Sequence, residues 1–221
     1  MFDAKALLFD LDGLLVDTEQ LHWKAYRHMC EQFGCTLNWD FPLYLEVAGG
    51  SAGGIRDRMR KELPQLFAGR TWEQLYEIKR QKLFDLLGHS SIPLMNGVAE
   101  ALPILAASKA PMAVVTHSPK AFVDLVRAAH PLFSLMTLWV YREMYDAPKP
   151  APDGYLWACK ELGVSPKEAV GFEDTIRGIE SLLASGVRPI LVNNSDPSAR
   201  LYCTERGIRS FSSFEEVARF N

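Results

Sequence analysis

The sequence lacks the features that would assign it to several large classes of protein. No stretch of consecutive apolar residues approaches the ~20 that a membrane-spanning helix needs. No basic run exceeds three residues and the formal net charge is −3, so nothing favours a nucleic-acid partner. The chain also has no internal repeats and no low-complexity segments. What remains is an ordinary globular composition, with 48% apolar and 23% charged residues.

Cysteine is scarce, and its spacing does not indicate a metal site or a disulfide framework. The chain has four cysteines, Cys30, Cys35, Cys159 and Cys203, and no Cys-x-x-Cys pair. We expect them to be reduced thiols, as in cytosolic proteins. The first predicted strand begins within a few residues of Met1, so no secretory signal peptide is expected. The composition therefore predicts a soluble cytoplasmic protein.

Between residues 17 and 91 the sequence predicts only helices. Within 19–34, apolar residues recur at every fourth position, at Leu21, Ala25, Met29 and Phe33. Asp17 fits the N-cap of this helix, with Gln20 in a capping-box position. Further helices are predicted over 55–63 and 72–87, and the segment 39–54, which ends in a glycine-rich stretch, is predicted to interrupt the helical pattern. We expect residues 17–91 to form a small helical cap domain, inserted into a core domain of residues 1–16 and 92–221.

The rest of the chain alternates between short apolar segments and helical periodicity. The predicted strands are 6–9, 112–116, 138–140, 169–172 and 189–192, and the predicted helices are 98–108, 120–130, 152–162, 175–185 and 199–207. Strands that alternate with helices pair in parallel. The predicted fold class is therefore α/β, a doubly wound parallel sheet with an inserted all-helical cap. In such folds ligands bind beyond the carboxyl ends of the strands.

Polar residues cluster where that rule places a ligand. They are Asp10 and Asp12 after the first strand, Thr116, His117 and Ser118 after the second, Lys149 in a proline-rich segment after the third, and Glu173 and Asp174 after the fourth. Two acids at the end of an apolar strand are costly unless a cation or a hydrogen-bonding partner neutralises them. Four separate loops thus predict one site at one edge of the sheet.

These residue types fit phosphoryl transfer. Mg²⁺ prefers oxygen ligands, which Asp10, Asp174 and a backbone carbonyl near Asp12 can supply. Lys149 would neutralise the remaining charge, and Thr116 would donate a hydrogen bond to a phosphoryl oxygen. Asp10 would attack phosphorus to form an aspartyl-phosphate, while Asp12 would protonate the leaving alkoxide and then activate water. A helix-capping role for Asp174 is the alternative interpretation of that residue.

Four segments resemble the four motifs of the haloacid dehalogenase superfamily. They are Asp-Leu-Asp-Gly-Leu-Leu-Val-Asp-Thr from residue 10, Thr116, Lys-Pro-Ala-Pro-Asp from residue 149, and Gly-Phe-Glu-Asp-Thr-Ile-Arg-Gly from residue 171. They match the branch with a helical cap after the first motif, which contains β-phosphoglucomutase and many sugar-phosphate and nucleotide phosphatases. The resemblance implies Asp10 as nucleophile, Asp12 as acid/base, and a Mg²⁺ site that includes Asp10, Asp12, Glu173 and Asp174, with Glu173 bound either directly or through water.

Three further residues are weaker substrate-binding candidates. His22 lies one helical turn after Thr18, where this branch often has a histidine, and a surface or hinge role is the alternative. His117 stands where the family more often has a small residue, and its backbone N–H is placed to bind phosphate. Ser51 lies in the glycine-rich segment, which in this family reaches the active site.

Asp12 narrows the reaction to transfer of an oxygen-linked phosphate, because dehalogenases and phosphonatases lack an acid at that position. We expect a phosphatase acting on a small phosphorylated metabolite, as a cytoplasmic monomer without a nucleic-acid or membrane partner. A phosphomutase is the alternative, although residues 48–54 lack the arginine that typically binds the far phosphate, and the nearest arginine is Arg56. A non-enzymatic phospho-acceptor switch fits less well, because receiver domains have no cap.

Overall fold

The computed structural model describes residues 2–49, 53–89, 91–193 and 196–220. The strands are β1 (Ala6–Phe9), β2 (Met112–Val115), β3 (Leu138–Val140), β4 (Ala169–Glu173), β5 (Arg188–Val192) and β6 (Arg209–Phe211). The helices are α1 (Glu19–Glu31), α2 (Phe41–Gly49), α3 (Gly54–Glu62), α4 (Trp72–His89), α5 (Val98–Ala106), α6 (Lys120–Ala129), α7 (Asp153–Glu161), α8 (Ile176–Ser185), α9 (Pro197–Glu205) and α10 (Phe214–Phe220). Among these residues no helix is both long and apolar enough to cross a membrane.

The six strands form one parallel sheet in the order β3-β2-β1-β4-β5-β6. The first strand is therefore central, and Leu7 lies opposite Met112 on one side and Val170 on the other. All four residues of β1 are buried, as are those of β2 and β4, which suits a parallel sheet covered on both faces. The predicted fold class is confirmed. The carboxyl ends of β2, β1 and β4 lie side by side. From β1 the chain adds β2 and β3 on one side and then β4, β5 and β6 on the other, so β1 lies at the topological switch point of the sheet.

The described chain forms two compact units, one from Thr18 to Ile92 and the other from the remaining residues. The α/β unit is continuous in space although its sequence is interrupted, since the backbone N–H of Asp17 donates to the carbonyl of Pro93 at 2.9 Å. The helical unit has its own apolar core, with aromatic residues such as Trp39 and Tyr44 buried within it. All four cysteines are free and buried, as expected.

Five of the six strands lie where the sequence predicts them, and the predicted helices agree to within about two residues at most ends. The sixth strand and α10 escape prediction because both are short. Of the residues of β6 only Phe211 is buried, and a three-residue edge strand has too few positions to show an alternating pattern.

Two predictions in the helical unit are wrong. The segment 39–54 does not simply interrupt the helices, because α2 forms within it. Pro42 is tolerated in the first turn, and the Asp40 carboxylate accepts a hydrogen bond from the Leu43 N–H at 3.0 Å. The N-cap of α1 is Thr18 rather than Asp17, with no side-chain capping bond, because the Asp17 backbone is held by Pro93.

Gly97, which precedes α5, is expected to be intolerant of a side chain. Its φ is +80°, and a Cβ there would overlap the backbone N of Glu215 and lie 2.6 Å from the carbonyl carbon of Phe214. Gly97→Ala is expected to lower the free energy of unfolding by about 2–4 kcal/mol, as the sum of a left-handed-conformation cost and overpacking. Gly163→Ala is the matched control, because its φ is +66° but nothing lies within 4 Å of its Cβ position. Urea unfolding followed by circular dichroism measures both, and equal losses would contradict the steric argument.

Candidate active site

The structure brings six of the predicted residues to one edge of the sheet. They are Asp10 and Asp12 beyond β1, Thr116 beyond β2, Lys149 from the segment before α7, and Glu173 and Asp174 at the end of β4. Asp10, Thr116, Lys149 and Glu173 are buried, whereas Asp12 and Asp174 are partly exposed. At this edge of the sheet, buried charged side chains therefore lie beside two acids that are accessible to solvent.

Lys149 is the central cation of this site. Its Nζ donates hydrogen bonds to Asp10 Oδ1 and to the carbonyl of Val115, the latter at 2.9 Å, and it lies 2.7 Å from Glu173 Oε1. Burial acts to lower the pKa of Lys149, but the charges of Asp10 and Glu173 outweigh it and raise that pKa above its usual value. The ammonium group is therefore charged at neutral pH and neutralises part of the charge of two carboxylates.

Glu173 is almost completely buried, with 1% of its side chain exposed. Burial raises its pKa, against the opposing effect of the charged Lys149. The phenol of Tyr155 donates a second hydrogen bond to Glu173 Oε1, at 2.5 Å, and burial also raises the pKa of Tyr155, so the phenol stays protonated. On its other side the carboxylate lies against Gly178, where a Cβ would overlap it. Glu173 is thus fixed in one orientation.

Asp12 has different partners from Asp10, although only one residue separates them. Ser118 Oγ donates to Asp12 Oδ2 at 2.7 Å, and Thr116 Oγ1 lies 3.4 Å from the same oxygen. Thr116 Oγ1 also accepts a hydrogen bond from the Ser118 N–H at 2.9 Å, which fixes the loop beyond β2. Hydroxyl groups can donate to or accept from a carboxyl group, so this environment suits both the charged and the protonated form of Asp12.

Three carboxylates are close enough together to hold a metal ion. Asp10, Glu173 and Asp174 each offer an oxygen, and these oxygens lie within 4.8 Å of one another. An all-oxygen carboxylate set fits Mg²⁺ rather than zinc or copper. The Asp12 side chain is not part of this group, so its predicted role as a metal ligand rests on its backbone carbonyl and stays a prediction.

Asp174 does not cap α8, so the alternative interpretation of that residue is wrong. The N-cap is Thr175, whose hydroxyl accepts a hydrogen bond from the Gly178 N–H at 3.2 Å. The carbonyl of Asp174 accepts a hydrogen bond from Asn193 Nδ2 at 2.6 Å, which ties this loop to the end of β5. Beside it, Gly13 has a φ of +77°, and a Cβ there would overlap the Asp174 carboxylate. Glycine is therefore favoured at this position by its left-handed backbone, and a side chain there would displace the Asp174 carboxylate.

The remaining substrate-binding candidates are His117, His22 and Ser51. His117 is exposed by surface area, yet nearby protein atoms desolvate its ring, and together with the charges of Arg142, Arg177 and Lys149 they lower its pKa to about 4. The imidazole is therefore neutral at pH 7. His22 lies in the helical unit, with its Nδ1 3.0 Å from Nζ of the buried Lys79. Ser51 lies outside the described residues.

Sequence analysis did not identify three residues that hold the site together. Tyr155 contacts Glu173, Tyr145 donates to the carbonyl of Thr116 at 2.9 Å, and Asn193 binds the Asp174 carbonyl. Both tyrosines lie in apolar surroundings and look like core aromatics in the sequence. Asn193 follows β5 directly, and the rule that located the other loops would have found it.

Comparison with known proteins identifies the family. The sequence profile described as haloacid dehalogenase-like hydrolase matches residues 7–192. Protein CbbY of Rhodobacter capsulatus is 31% identical over 198 residues, which cover 86% of this chain and 85% of that protein. Fructose-1-phosphate phosphatase YqaB of Escherichia coli is 30% identical over 186 residues, 82% of this chain and 92% of that protein.

A solved structure agrees with this result. The β-phosphoglucomutase of Clostridium difficile superposes with a TM-score of 0.75 over 96% of this chain and 92% of that one, and at 21% identity this shows a shared fold. The chain belongs to the haloacid dehalogenase-like hydrolases. Within that superfamily it is an enzyme of the phosphoric monoester hydrolase class, and the resemblance inferred from its four motifs is confirmed.

Proposed function

We propose that this protein is a Mg²⁺-dependent phosphatase that hydrolyses small phosphate monoesters of the sugar-phosphate or nucleotide type. The observation that carries the proposal is the unequal environment of Asp10 and Asp12. Asp10 is paired with the ammonium group of Lys149, whereas Asp12 is hydrogen-bonded by Ser118. One acid is therefore suited to remain a carboxylate nucleophile, and the other to exchange a proton.

In the first step a carboxylate oxygen of Asp10 forms a bond to the phosphorus of the ester. The bond from phosphorus to the ester oxygen breaks, and the leaving alkoxide takes a proton from Asp12. Lys149 stays charged throughout and reduces the repulsion between the Asp10 carboxylate and the phosphate dianion. The products of this step are the free alcohol and an aspartyl-phosphate on Asp10.

In the second step water attacks the phosphorus of the aspartyl-phosphate. Asp12, now a carboxylate, accepts a proton from that water, and the bond between phosphorus and Asp10 breaks. Inorganic phosphate is released and both acids return to their starting states. Thr116 and the backbone N–H of His117 are proposed to bind phosphoryl oxygens during both steps, because they follow β2 directly beside Asp12.

Asp10, Glu173 and Asp174 would hold the magnesium ion, together with the backbone carbonyl of Asp12. When bound, Mg²⁺ supplies positive charge to the phosphoryl oxygens and offsets the charge of the surrounding carboxylates. Without a cation, this edge gathers four carboxylates, Asp10, Asp12, Glu173 and Asp174, around one lysine. That excess of negative charge would repel a phosphate dianion and is the physical reason for expecting a metal requirement.

The substrate class rests on similarity to proteins that act on phosphorylated sugars, as the name of the fructose-1-phosphate phosphatase states. We propose that the helical unit from Thr18 to Ile92 acts as a cap that selects the leaving group, with His22 and Ser51 as substrate contacts. The free cysteines agree with a cytoplasmic location. We treat the active form as a monomer with no nucleic-acid or membrane partner.

A phosphomutase is the second candidate, favoured by the shared fold with β-phosphoglucomutase. That reaction requires a cation to bind the far phosphate. Residues 48–54 contain no arginine, and Arg56 is paired with Asp57 at 2.8 Å. Hydrolysis is therefore the better-supported reaction.

The test is release of inorganic phosphate from a panel of sugar phosphates and nucleoside monophosphates, with Mg²⁺ and with excess chelator. Mg²⁺-dependent release from some members supports the phosphatase. Isomerisation of a sugar phosphate only when its bisphosphate is added, without net release, would reassign the protein to the mutases. Release that persists in chelator would remove the magnesium requirement.

A further inference from the structure

We propose that Tyr155 is a positioning residue for the magnesium site, and that its phenol fixes the orientation of the Glu173 carboxylate, one of the three carboxylates that would hold the cation. The inference rests on the proposed function, because it assumes that Asp10, Glu173 and Asp174 hold magnesium. Tyr155 itself would touch neither metal nor substrate.

The geometry around Tyr155 joins two functional side chains through one residue of α7. Its side chain is completely buried, and its hydroxyl donates to Glu173 Oε1 at 2.5 Å. The Nζ of Lys149 lies 5.1 Å from the centre of the Tyr155 ring and 2.7 Å from the same Oε1. Tyr155 therefore contacts both the ammonium group and the carboxylate that are paired in this site.

Both donors converge on one oxygen of the carboxylate. Lys149 and Tyr155 occupy Oε1, while the part of the chain that the structure describes places no hydrogen-bond donor on Oε2. Oε2 lies against Gly178, where a Cβ would overlap it, so packing as well as hydrogen bonding restricts the carboxylate. Rotation of the carboxylate would break two charge-assisted hydrogen bonds, so Glu173 keeps one orientation relative to Asp10 and Asp174.

The hydroxyl of Tyr155 is the group that orients Glu173. A phenylalanine would fill the same space without it. Lys149 also pairs with Asp10 and donates to the Val115 carbonyl, so it is shared among three acceptors. Among the residues that the structure describes, the side-chain hydrogen bond of Tyr155 goes to Glu173. Groups that orient metal ligands in this way typically change metal affinity about 10–100-fold when removed.

The experiment is calorimetric titration of MgCl₂ into the substrate-free full-length protein and into Tyr155→Phe. We expect the dissociation constant for Mg²⁺ to rise about 10-fold or more in Tyr155→Phe. In steady-state assays the Mg²⁺ concentration for half-maximal activity should rise in parallel. At saturating Mg²⁺, kcat should be unchanged, because the nucleophile and the acid are intact.

Tyr145→Phe is the matched control. Tyr145 is also a buried tyrosine beside α7, and its hydroxyl donates to the Thr116 carbonyl rather than to a carboxylate of the metal group. Its removal should leave Mg²⁺ affinity unchanged. Thermal unfolding midpoints of both variants report whether either substitution disturbs the fold.

A double variant distinguishes loss of Glu173 orientation from any other cause of weaker Mg²⁺ binding. In a Glu173→Gln background, Tyr155→Phe should cause no further loss of Mg²⁺ affinity, because the carboxylate that it orients is gone. Equal Mg²⁺ affinity of Tyr155→Phe and the native chain would overturn the proposal, as would equal losses in Tyr155→Phe and Tyr145→Phe. If the native chain itself binds no Mg²⁺, the magnesium part of the proposed function fails instead, and the two failures are distinguished by the native titration.

Discussion

Replacing Asp10 by asparagine is expected to abolish phosphate release, with a loss of at least about 10⁴-fold in kcat. The substitution replaces the carboxylate proposed to form the bond to phosphorus by an amide, which is a poor nucleophile. It also removes a charge that pairs with Lys149 and one of the three clustered carboxylates proposed to hold magnesium. Substrate binding should survive better than turnover, since Lys149 and Thr116 remain.

The measurement is phosphate release at saturating Mg²⁺ for native protein, Asp10→Asn and a charge-matched control. Asp124→Asn serves as that control, because Asp124 pairs with Lys120 on the exposed face of α6 at 2.6 Å. It should retain native activity. Acid quenching during turnover should also trap labelled phosphate on the native chain and none on Asp10→Asn. Comparable release from Asp10→Asn and native protein would eliminate the aspartyl-phosphate mechanism.

Replacing Lys149 by methionine is expected to lower the free energy of unfolding at pH 7 by about 3–5 kcal/mol. The side chain is 8% exposed and pairs with both Asp10 and Glu173. Without it, two desolvated carboxylates face each other with no compensating cation. Methionine keeps much of the volume, so the loss reports charge rather than a cavity.

The deficit of Lys149→Met should depend on pH in a defined direction. In the native chain the raised pKa of Lys149 means that its contribution is fully present below the ordinary lysine value of 10.5, and is lost only as pH rises through the raised value. Any change between pH 5 and pH 8 therefore comes from the carboxylates. Burial already raises the pKa of Glu173, and loss of the ammonium group raises it further. As pH falls, protonation of Glu173 removes its repulsion with Asp10, and this stabilises the folded state of the variant.

Urea unfolding of both proteins at pH 5 and pH 8 measures this dependence. The difference between native protein and Lys149→Met should be smaller at pH 5 than at pH 8. Added Mg²⁺ should restore part of the loss at pH 8 by replacing the missing positive charge. An equal deficit at both pH values, insensitive to Mg²⁺, would show that packing around Lys149 matters more than its charge.

The fold and most of the candidate site could be predicted from the sequence because one rule links them. Buried apolar strands that alternate with helices must pair in parallel, and parallel strands bring the residues beyond their carboxyl ends to one edge. Asp10, Thr116 and Glu173 each follow or end a buried strand, so their convergence needed no knowledge of tertiary contacts.

The parts that escaped prediction depend on contacts between distant residues. Tyr155 looks like a core aromatic in the sequence, and only the three-dimensional structure directs its hydroxyl at Glu173, 18 positions away. The N-cap of α1 shifted from Asp17 to Thr18 because Pro93 holds the Asp17 backbone. Helix α2 was missed because proline and glycine signals mark its first and last turns rather than its interior.

The central position of β1 has a consequence for how this chain folds during synthesis. The strand that precedes Asp10 is made before its partners, which begin only at Met112 and Ala169. Its hydrogen bonds must wait for both, and closing such long loops is entropically slow. The helical unit between them is contiguous and can fold as it leaves the ribosome. Ala6–Phe9 therefore stays an unpaired apolar segment at least until Met112–Val115 has been synthesised.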